Sequence, residues 1–148
     1  MSVFEPSPRA DRLLAVLRVV VGAIFVSAGT TKLLGYPPSP APVPPFVLMS
    51  QLGIGAVLEV FGGLAIVLGA LTRPIAFVLS GEMAVAYFQF HFPRSFFPTV
   101  NNGVPPVLFC FIFLYLSFSG AGAWSLDALV ARARGDRRLN AGRPEPSN

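Results

Sequence analysis

Five side chains that could move a proton or hold a charge sit within long apolar runs of the 148-residue chain: Arg18, Lys32, Glu59, Glu82 and His91. An ionised group inside a bilayer is costly and ordinarily faces the interior of a helix bundle with a partner, so each is a candidate for function. Helical spacing assigns each a face. Arg18, Gly22, Phe25, Gly29 and Lys32 recur at intervals of three and four, one stripe of one helix. The two glycines on that stripe permit close approach of a second helix. Gly55, Gly62 and Gly69 recur every seven residues with Glu59 between the first two, which predicts that Glu59 lies in a seam of helix contact and not toward lipid. Glu82 and Gln89 share a face with Ala86 between them, while His91, nine residues beyond Glu82, falls about half a turn away on the side of Ala84 and Tyr87.

Depth along the helices predicts two charge pairs, Lys32 with Glu59 near one surface and Arg18 with Glu82 nearer the other. The plain alternative is that such pairs only fix how helices dock, or that Lys32 and Arg18 snorkel to the nearer interface. Glu82 lies closest to the midplane. Left unpaired there it would be neutral, since lipid penalises the charged form, and it would then be able to carry a proton. His91, beside Pro93 and Arg94, could give up a proton or hydrogen-bond a quinone carbonyl; its plain reading is a polar residue at the interface.

Other chemistries find little support. The single histidine and the single cysteine, Cys110, stand on different segments with no ligand spacing, so no metal site is expected, and His91 alone is a weak haem ligand. One cysteine excludes an internal disulfide and a CxxC redox pair, and with it a four-helix thiol oxidase acting unaided. No phosphate-binding loop and no nucleophile–base arrangement is present.

The elements that must position these residues follow from hydropathy. Four apolar segments, at about 13–34, 54–71, 75–92 and 105–119, approach the roughly 20 residues that a membrane-crossing helix needs. The connections differ in kind. Thr72-Arg73-Pro74 reads as a tight turn. Residues 36–45 hold six prolines and should run extended. Residues 46–52 read as a short interfacial helix, and 92–103 as a loop broken by Pro93 and Pro98 and closed by Asn101-Asn102-Gly103. Beyond Trp124, Ser125 can cap an amphipathic interfacial helix to about Ala133, with Leu126, Leu129 and Val130 on its apolar side. The last dozen residues are polar and expected to be disordered.

Composition points the same way. Only 12% of residues are charged and 53% are hydrophobic, and fourteen Phe against seven carboxylates cannot make a water-facing surface around so small a chain. The net charge of +4 is no nucleic-acid signal, because the arginines gather at segment ends without an aromatic-laced groove. Arg9, Arg12, Arg18, Arg73, Arg132, Arg134, Arg137, Arg138 and Arg143 fall on one side and only Lys32 and Arg94 on the other. The positive-inside rule then places both termini and the Arg73 turn in the cytoplasm. A cleaved signal peptide is the rival reading of the N-terminus, but the apolar run is too long and continues through Lys32. The expectation is an all-α, integral membrane four-helix bundle. Residues 1–148 would form a single domain, transmembrane over about 12–128, with a short cytoplasmic N-terminal arm and a basic C-terminal tail.

Several runs resemble the DoxX family of bacterial integral membrane proteins. They are Ser27-Ala28-Gly29 with Lys32-Leu33, and Leu58-Glu59-Val60-Phe61-Gly62-Gly63 followed by Gly69-Ala70-Leu71-Thr72-Arg73-Pro74. In the same order come Glu82-Met83-Ala84-Val85-Ala86-Tyr87-Phe88, then His91 and Pro93, Asn101-Asn102-Gly103, and Trp124-Ser125-Leu126-Asp127. The resemblance covers about 12–127, and its order and spacing are more specific than any one motif. It implies a multi-pass protein of the bacterial inner membrane, described as an oxidoreductase or redox-complex subunit. A relative is associated with thiosulfate and quinone oxidation, and some members assemble with sulfur-handling or oxidative-stress enzymes. One departure stands out: Val104 occupies a position after the Asn-Gly motif where the family commonly has a Glu.

The resulting expectation is a membrane anchor or quinone-facing subunit of a redox complex, with no redox centre of its own and a quinone as bound partner. Lys32, Glu59, Glu82, His91 and Arg18 would form its intramembrane polar site; no catalytic residue is assigned. The partners expected are the lipid bilayer, soluble or membrane redox enzymes and a second copy of the chain. The alternatives are a structural or assembly protein with no catalytic role and, less well supported, a small-solute transporter, for which four spans without inverted repeats are a poor fit.

Overall fold

The computed structural model describes residues 7–39 and 45–141, the side chains of 136–141 excepted. Residues 1–6, 40–44 and 142–148, which include half of the proline-rich stretch expected to run extended and the end of the basic tail expected to be disordered, lie outside the described residues. The described residues hold five α-helices: α1 Pro8–Leu34, α2 Gln51–Leu68, α3 Thr72–Ala86, α4 Val104–Ser119 and α5 Leu126–Ala141. Three helical stretches, Pro8–Leu34, Gln51–Leu68 and Thr72–Arg94, are long and apolar enough to cross a membrane, and Val104–Ser119 is a shorter apolar helix.

Local chemistry explains the boundaries. The Ser7 hydroxyl accepts from Ala10 N–H at 3.2 Å and Pro8 opens α1, five residues before the apolar run begins. The Ser50 hydroxyl accepts from Gly53 N–H at 3.0 Å, so α2 starts at Gln51. Residues 46–50 are coil and turn leading into that cap, not the short interfacial helix expected there. Gly69, at φ +66°, stops α2, with Ala70 N–H reaching back to Ala65 C=O at 3.0 Å. The tight turn is therefore Gly69–Leu71, and Thr72, Arg73 and Pro74 already belong to α3. A proline in the first helical turn removes an N–H that had no partner to lose.

Near its end α3 changes pitch. Phe92 N–H bonds to Tyr87 C=O, five residues back, so Tyr87–His91 forms a π turn, and a 3-10 turn over Phe92–Arg94 leads into the loop to α4. The Ser125 hydroxyl accepts from Ala128 N–H at 3.2 Å, capping α5 as its sequence suggests, and α5 runs on past Ala133 to Ala141.

The helices associate as two close pairs. α1 meets α2 backbone to backbone: a methyl group on Gly22 would lie 2.8 Å from Gly63 C=O, and one on Gly29 2.8 Å from Ala56 C=O. α3 packs along α4, and the Ser80 hydroxyl donates to Cys110 C=O at 2.9 Å. Phe25 of α1 joins the pairs, its ring edge-on to Phe113 at 4.5 Å and to Phe109 at 5.2 Å. Ile66, Leu79, Met83 and Leu116 complete the core. α2 and α3, although consecutive, touch more sparsely than either pair. That gap is where the site lies.

Candidate functional site

A cavity of about 630 Å³ occupies the gap between α2 and α3. Four of the five expected residues line it: Lys32, Glu59, Glu82 and His91. Its remaining wall is mostly apolar, with Leu58, Val78, Met83 and Phe90 among the contributors.

Glu59 owes its place to a buried stripe of α2 at intervals of three and four, Ala56, Glu59, Gly63 and Ile66. The seam against α1 runs through Gly63 and Ala56, whereas Gly62 faces Leu79 of α3. Gly55 and Gly62 thus mark the α3 side, Gly69 meets Ser125 and Arg18 instead, and Glu59 stands between the α1 and α3 contacts. Its side chain is buried, at 3% exposure, with Oε1 accepting from Lys32 Nζ at 2.5 Å. Lys32 sits one turn beyond Gly29 on α1, so the close helix contact carries its ammonium to Glu59. Glu59 Oε2 is buried with no hydrogen-bond partner.

Glu82 reaches the same cavity from α3. A methyl group on Gly55 would lie 3.1 Å from Glu82 Oε1, so the absence of a side chain on α2 makes room for this carboxyl. Glu82 Oε2 is also buried without a hydrogen-bond partner. The expected pairing of Glu82 with Arg18 is not formed. Because α3 begins at Thr72 and not Ile75, Glu82 lies about 4.5 Å further from the Arg18 end of the bundle than the apolar pattern implies.

Arg18 is fully buried elsewhere and takes no part in the cavity. Its guanidinium donates from Nη1 to Ile66 C=O at 2.6 Å and Val67 C=O at 2.5 Å. Nε donates to Ala121 C=O and Nη2 to Trp124 C=O, both at 2.9 Å. Two of these carbonyls belong to the last turn of α2, where the helix dipole favours a cation, and Ile66 C=O is shared with Gly69 N–H at 3.1 Å. Five donors in a planar fork meeting four carbonyls explain how a full charge is held in the interior without a carboxylate.

The π turn brings in His91. In an unbroken α-helix nine residues would put it opposite Glu82; the extra residue in the turn leaves about eight effective steps and some 80° between them, on one side of the helix. His91 Nδ1 lies 3.0 Å from Asn101 C=O. A carbonyl only accepts, so the proton is on Nδ1 and the neutral ring keeps a lone pair on Nε2. Asn101, 2% exposed, is fixed in turn: its Nδ2 donates to Ser95 C=O at 2.7 Å and its Oδ1 accepts from Gly103 N–H at 2.7 Å. Tyr87 donates to Phe96 C=O at 2.9 Å and stacks against the His91 ring. The loop after α3 is thus tied to the end of the cavity. The side chains of Gln51 and Gln89 hydrogen-bond between the first residue of α2 and the π turn that follows α3.

Sequence reasoning did not find Asp127. Its Oδ1 accepts from Leu71 N–H and its Oδ2 from Thr72 N–H, each at 2.9 Å, and its own N–H donates to Gly69 C=O at 2.9 Å. The carboxylate caps the start of α3 from α5, as Arg18 caps the end of α2 from α1. Burial pushes the Asp127 carboxyl up, but the Thr72 and Leu71 hydrogen bonds and the Arg18 charge outweigh it, and the net displacement is below the ordinary aspartate range. The only signal available was the Trp124-Ser125-Leu126-Asp127 run, which spacing alone could not connect to a turn fifty residues earlier.

The cavity, its ion pair and its two unpartnered carboxyl oxygens belong to a chain with close relatives in sequence. The family model for DoxX matches residues 13–92. An uncharacterized protein of Haemophilus influenzae is 43% identical over 117 residues, covering 77% of this chain and 87% of that one. The inner membrane protein YqjF of Escherichia coli is 33% identical over 122 residues, covering 78% of this chain and 89% of its own length. No solved structure matches the chain.

Proposed function

This chain belongs to the DoxX family of membrane proteins, and from that premise we propose that it is a multi-pass inner-membrane subunit of a redox complex that holds a quinone head group between α2 and α3. The chain would bring no redox centre; it would position the lipid-soluble carrier for a partner that does the electron transfer. The observation that carries this reading is the 630 Å³ cavity, apolar on most of its wall, with Lys32, Glu59, Glu82 and His91 converging in it. Apolar pockets with a few convergent polar groups are the usual form of small-molecule sites.

The same reading takes all four apolar helices as spans. α4 has 16 residues, about 24 Å, some 6 Å short of the roughly 30 Å hydrocarbon core, and an even number of crossings keeps the arginine-rich ends together on the cytoplasmic side. The inner-membrane assignment draws on the name of the Escherichia coli relative.

The test is gentle extraction of the full chain from its native membrane, with mass spectrometry of retained lipids and proteins. A quinone retained by the natural chain and lost from a Glu82→Ala variant, together with a co-purifying redox enzyme, is the expected result. Neither quinone nor redox partner in the purified material would overturn the proposal. A structural role is favoured by one observation, that every hydrogen bond of Arg18 goes to main-chain carbonyls. It predicts that Glu59→Gln and Glu82→Gln lower abundance and leave activity per molecule unchanged.

A further inference from the structure

At the arginine-rich end of the bundle, a groove of about 560 Å³ opens between the start of α5 and the last turn of α2, away from the cavity described above. Val67 and Leu68 of α2 form one wall, and Trp124, Leu126 and Leu129 the other. Trp124 lies in the left-handed region, at φ +51°, and is 70% exposed. One group ties the two walls together: Arg18 donates to Val67 C=O at 2.5 Å and to Trp124 C=O at 2.9 Å. Asp127 fixes the start of α5 through Leu71 and Thr72 N–H. The groove is therefore held open by the fold itself.

Two opposite charges also line it, Asp11, part-buried in the first turn of α1, and Arg132, exposed on α5. Among the described side chains neither has an ion-pair or hydrogen-bond partner, and the two do not reach each other. Apolar walls with a tryptophan among them suit a lipid at the depth of the head groups, where tryptophan gathers. A head group that satisfies both charges carries a phosphate for the Arg132 guanidinium and a hydrogen-bonding cation for the Asp11 carboxylate. Choline hides its cation behind three methyl groups and has no donor. We propose that this groove binds a zwitterionic phospholipid with a primary ammonium, phosphatidylethanolamine. Its phosphate lies on Arg132, its ammonium on Asp11 and its upper acyl carbons along Leu68 and Leu129. The site neither overlaps nor requires the cavity between α2 and α3.

Trp124 is the chain's single tryptophan and lines the groove, so its fluorescence reports the occupant. The experiment titrates the full chain in dodecyl maltoside with phosphatidylethanolamine, phosphatidylcholine or phosphatidylglycerol carrying brominated acyl chains, which quench on contact. Phosphatidylethanolamine should reach half-quenching at a concentration about threefold lower than phosphatidylcholine, the scale of one partly exposed ion pair. Asp11→Ala should erase that difference by weakening phosphatidylethanolamine alone. Arg132→Ala should weaken both lipids by about threefold. Equal affinity of the two lipids for the natural chain overturns the proposal, as does tighter binding of phosphatidylglycerol, the mark of a diffuse cationic surface. A difference that survives Asp11→Ala, or affinities unmoved by Arg132→Ala, overturns it as well. The natural chain alone decides the matter where a variant does not fold.

Discussion

Arg18 and Glu59 show how differently two buried charges can be held. Arg18 makes no direct ion pair; it spreads its charge over four carbonyl dipoles, two of them in the last turn of α2. Arg18→Met should lower stability by about 3 kcal/mol, since burial leaves several carbonyls unpaired. Arg18→Lys should recover only part of that loss, because three donors on one nitrogen cannot reach four acceptors spread over α2 and the connection between α4 and α5. Thermal unfolding in detergent measures both. Glu59 instead depends on one partner. Lys32→Met, which strands a buried carboxylate, should destabilise more than the double variant Lys32→Met/Glu59→Leu, which removes the charges together; the opposite order in a double-mutant cycle would contradict the burial of this pair.

At the scale of elements, the bundle depends on how closely α1 meets α2 and on how α3 begins and ends. A methyl group on Gly29 would lie 2.6 Å from Val60 Cγ2 and 2.8 Å from Val60 N, so Gly29→Ala should force the two helices apart and loosen the Lys32–Glu59 contact one turn away. Gly81 has open space around it, and Gly81→Ala should be neutral or stabilise by up to about 1 kcal/mol through helix propensity. Unfolding midpoints of the two variants should therefore move in opposite directions. The start of α3 relies on Asp127. Its carboxyl titrates below the aspartate value of the unfolded chain, near 3.9, so the unfolded state binds more protons in that range. The Asp127 contribution is then complete above about pH 4 and is lost as pH falls through the lowered value. Asp127→Asn should cost about 1 kcal/mol at neutral pH, the usual worth of a helix cap, and flatten the acid limb of stability against pH. At the other end, the π turn absorbs one extra residue before His91, so deleting Phe88 should restore an α-helical pitch there and leave His91 in place against Asn101. The expected readout is a His91 Nδ1–H resonance in ¹⁵N NMR spectra that the deletion leaves unmoved.

For the whole molecule, the exposed surface of the helices carries Phe61, Phe77, Phe88, Phe111 and Phe118, which lipid and not water can cover. The four crossings proposed above, with arginine-rich ends, predict that reporters fused before Pro8 and after Ala141 both read as cytoplasmic, and that a cysteine placed at Ser39 or Ser95 is labelled only from the opposite side. Labels at Ser39 and at Arg73 appearing on the same side would sink the four-span topology.

The sequence by itself determined the solvent, the number of apolar helices and most of the cavity's ionisable residues. Hydropathy needs only composition along the chain, and a buried charge at helical spacing from glycines has few places to go; Lys32 with Glu59 could be read that way. Tertiary structure alone decided the rest. Arg18 chose carbonyls over Glu82 because the end of α2, displaced by the Gly69 turn, offers acceptors that no periodicity reveals. His91 joined the cavity through one extra residue in a helical turn, which shifts every later side chain and leaves no mark on the apolar pattern. Asp127 found the start of α3 across more than fifty positions, a contact that exists only once the helices have packed. Periodicity reports which face of an element is buried; which partner it meets depends on boundaries set by single caps and turns, and on chain segments brought together by folding.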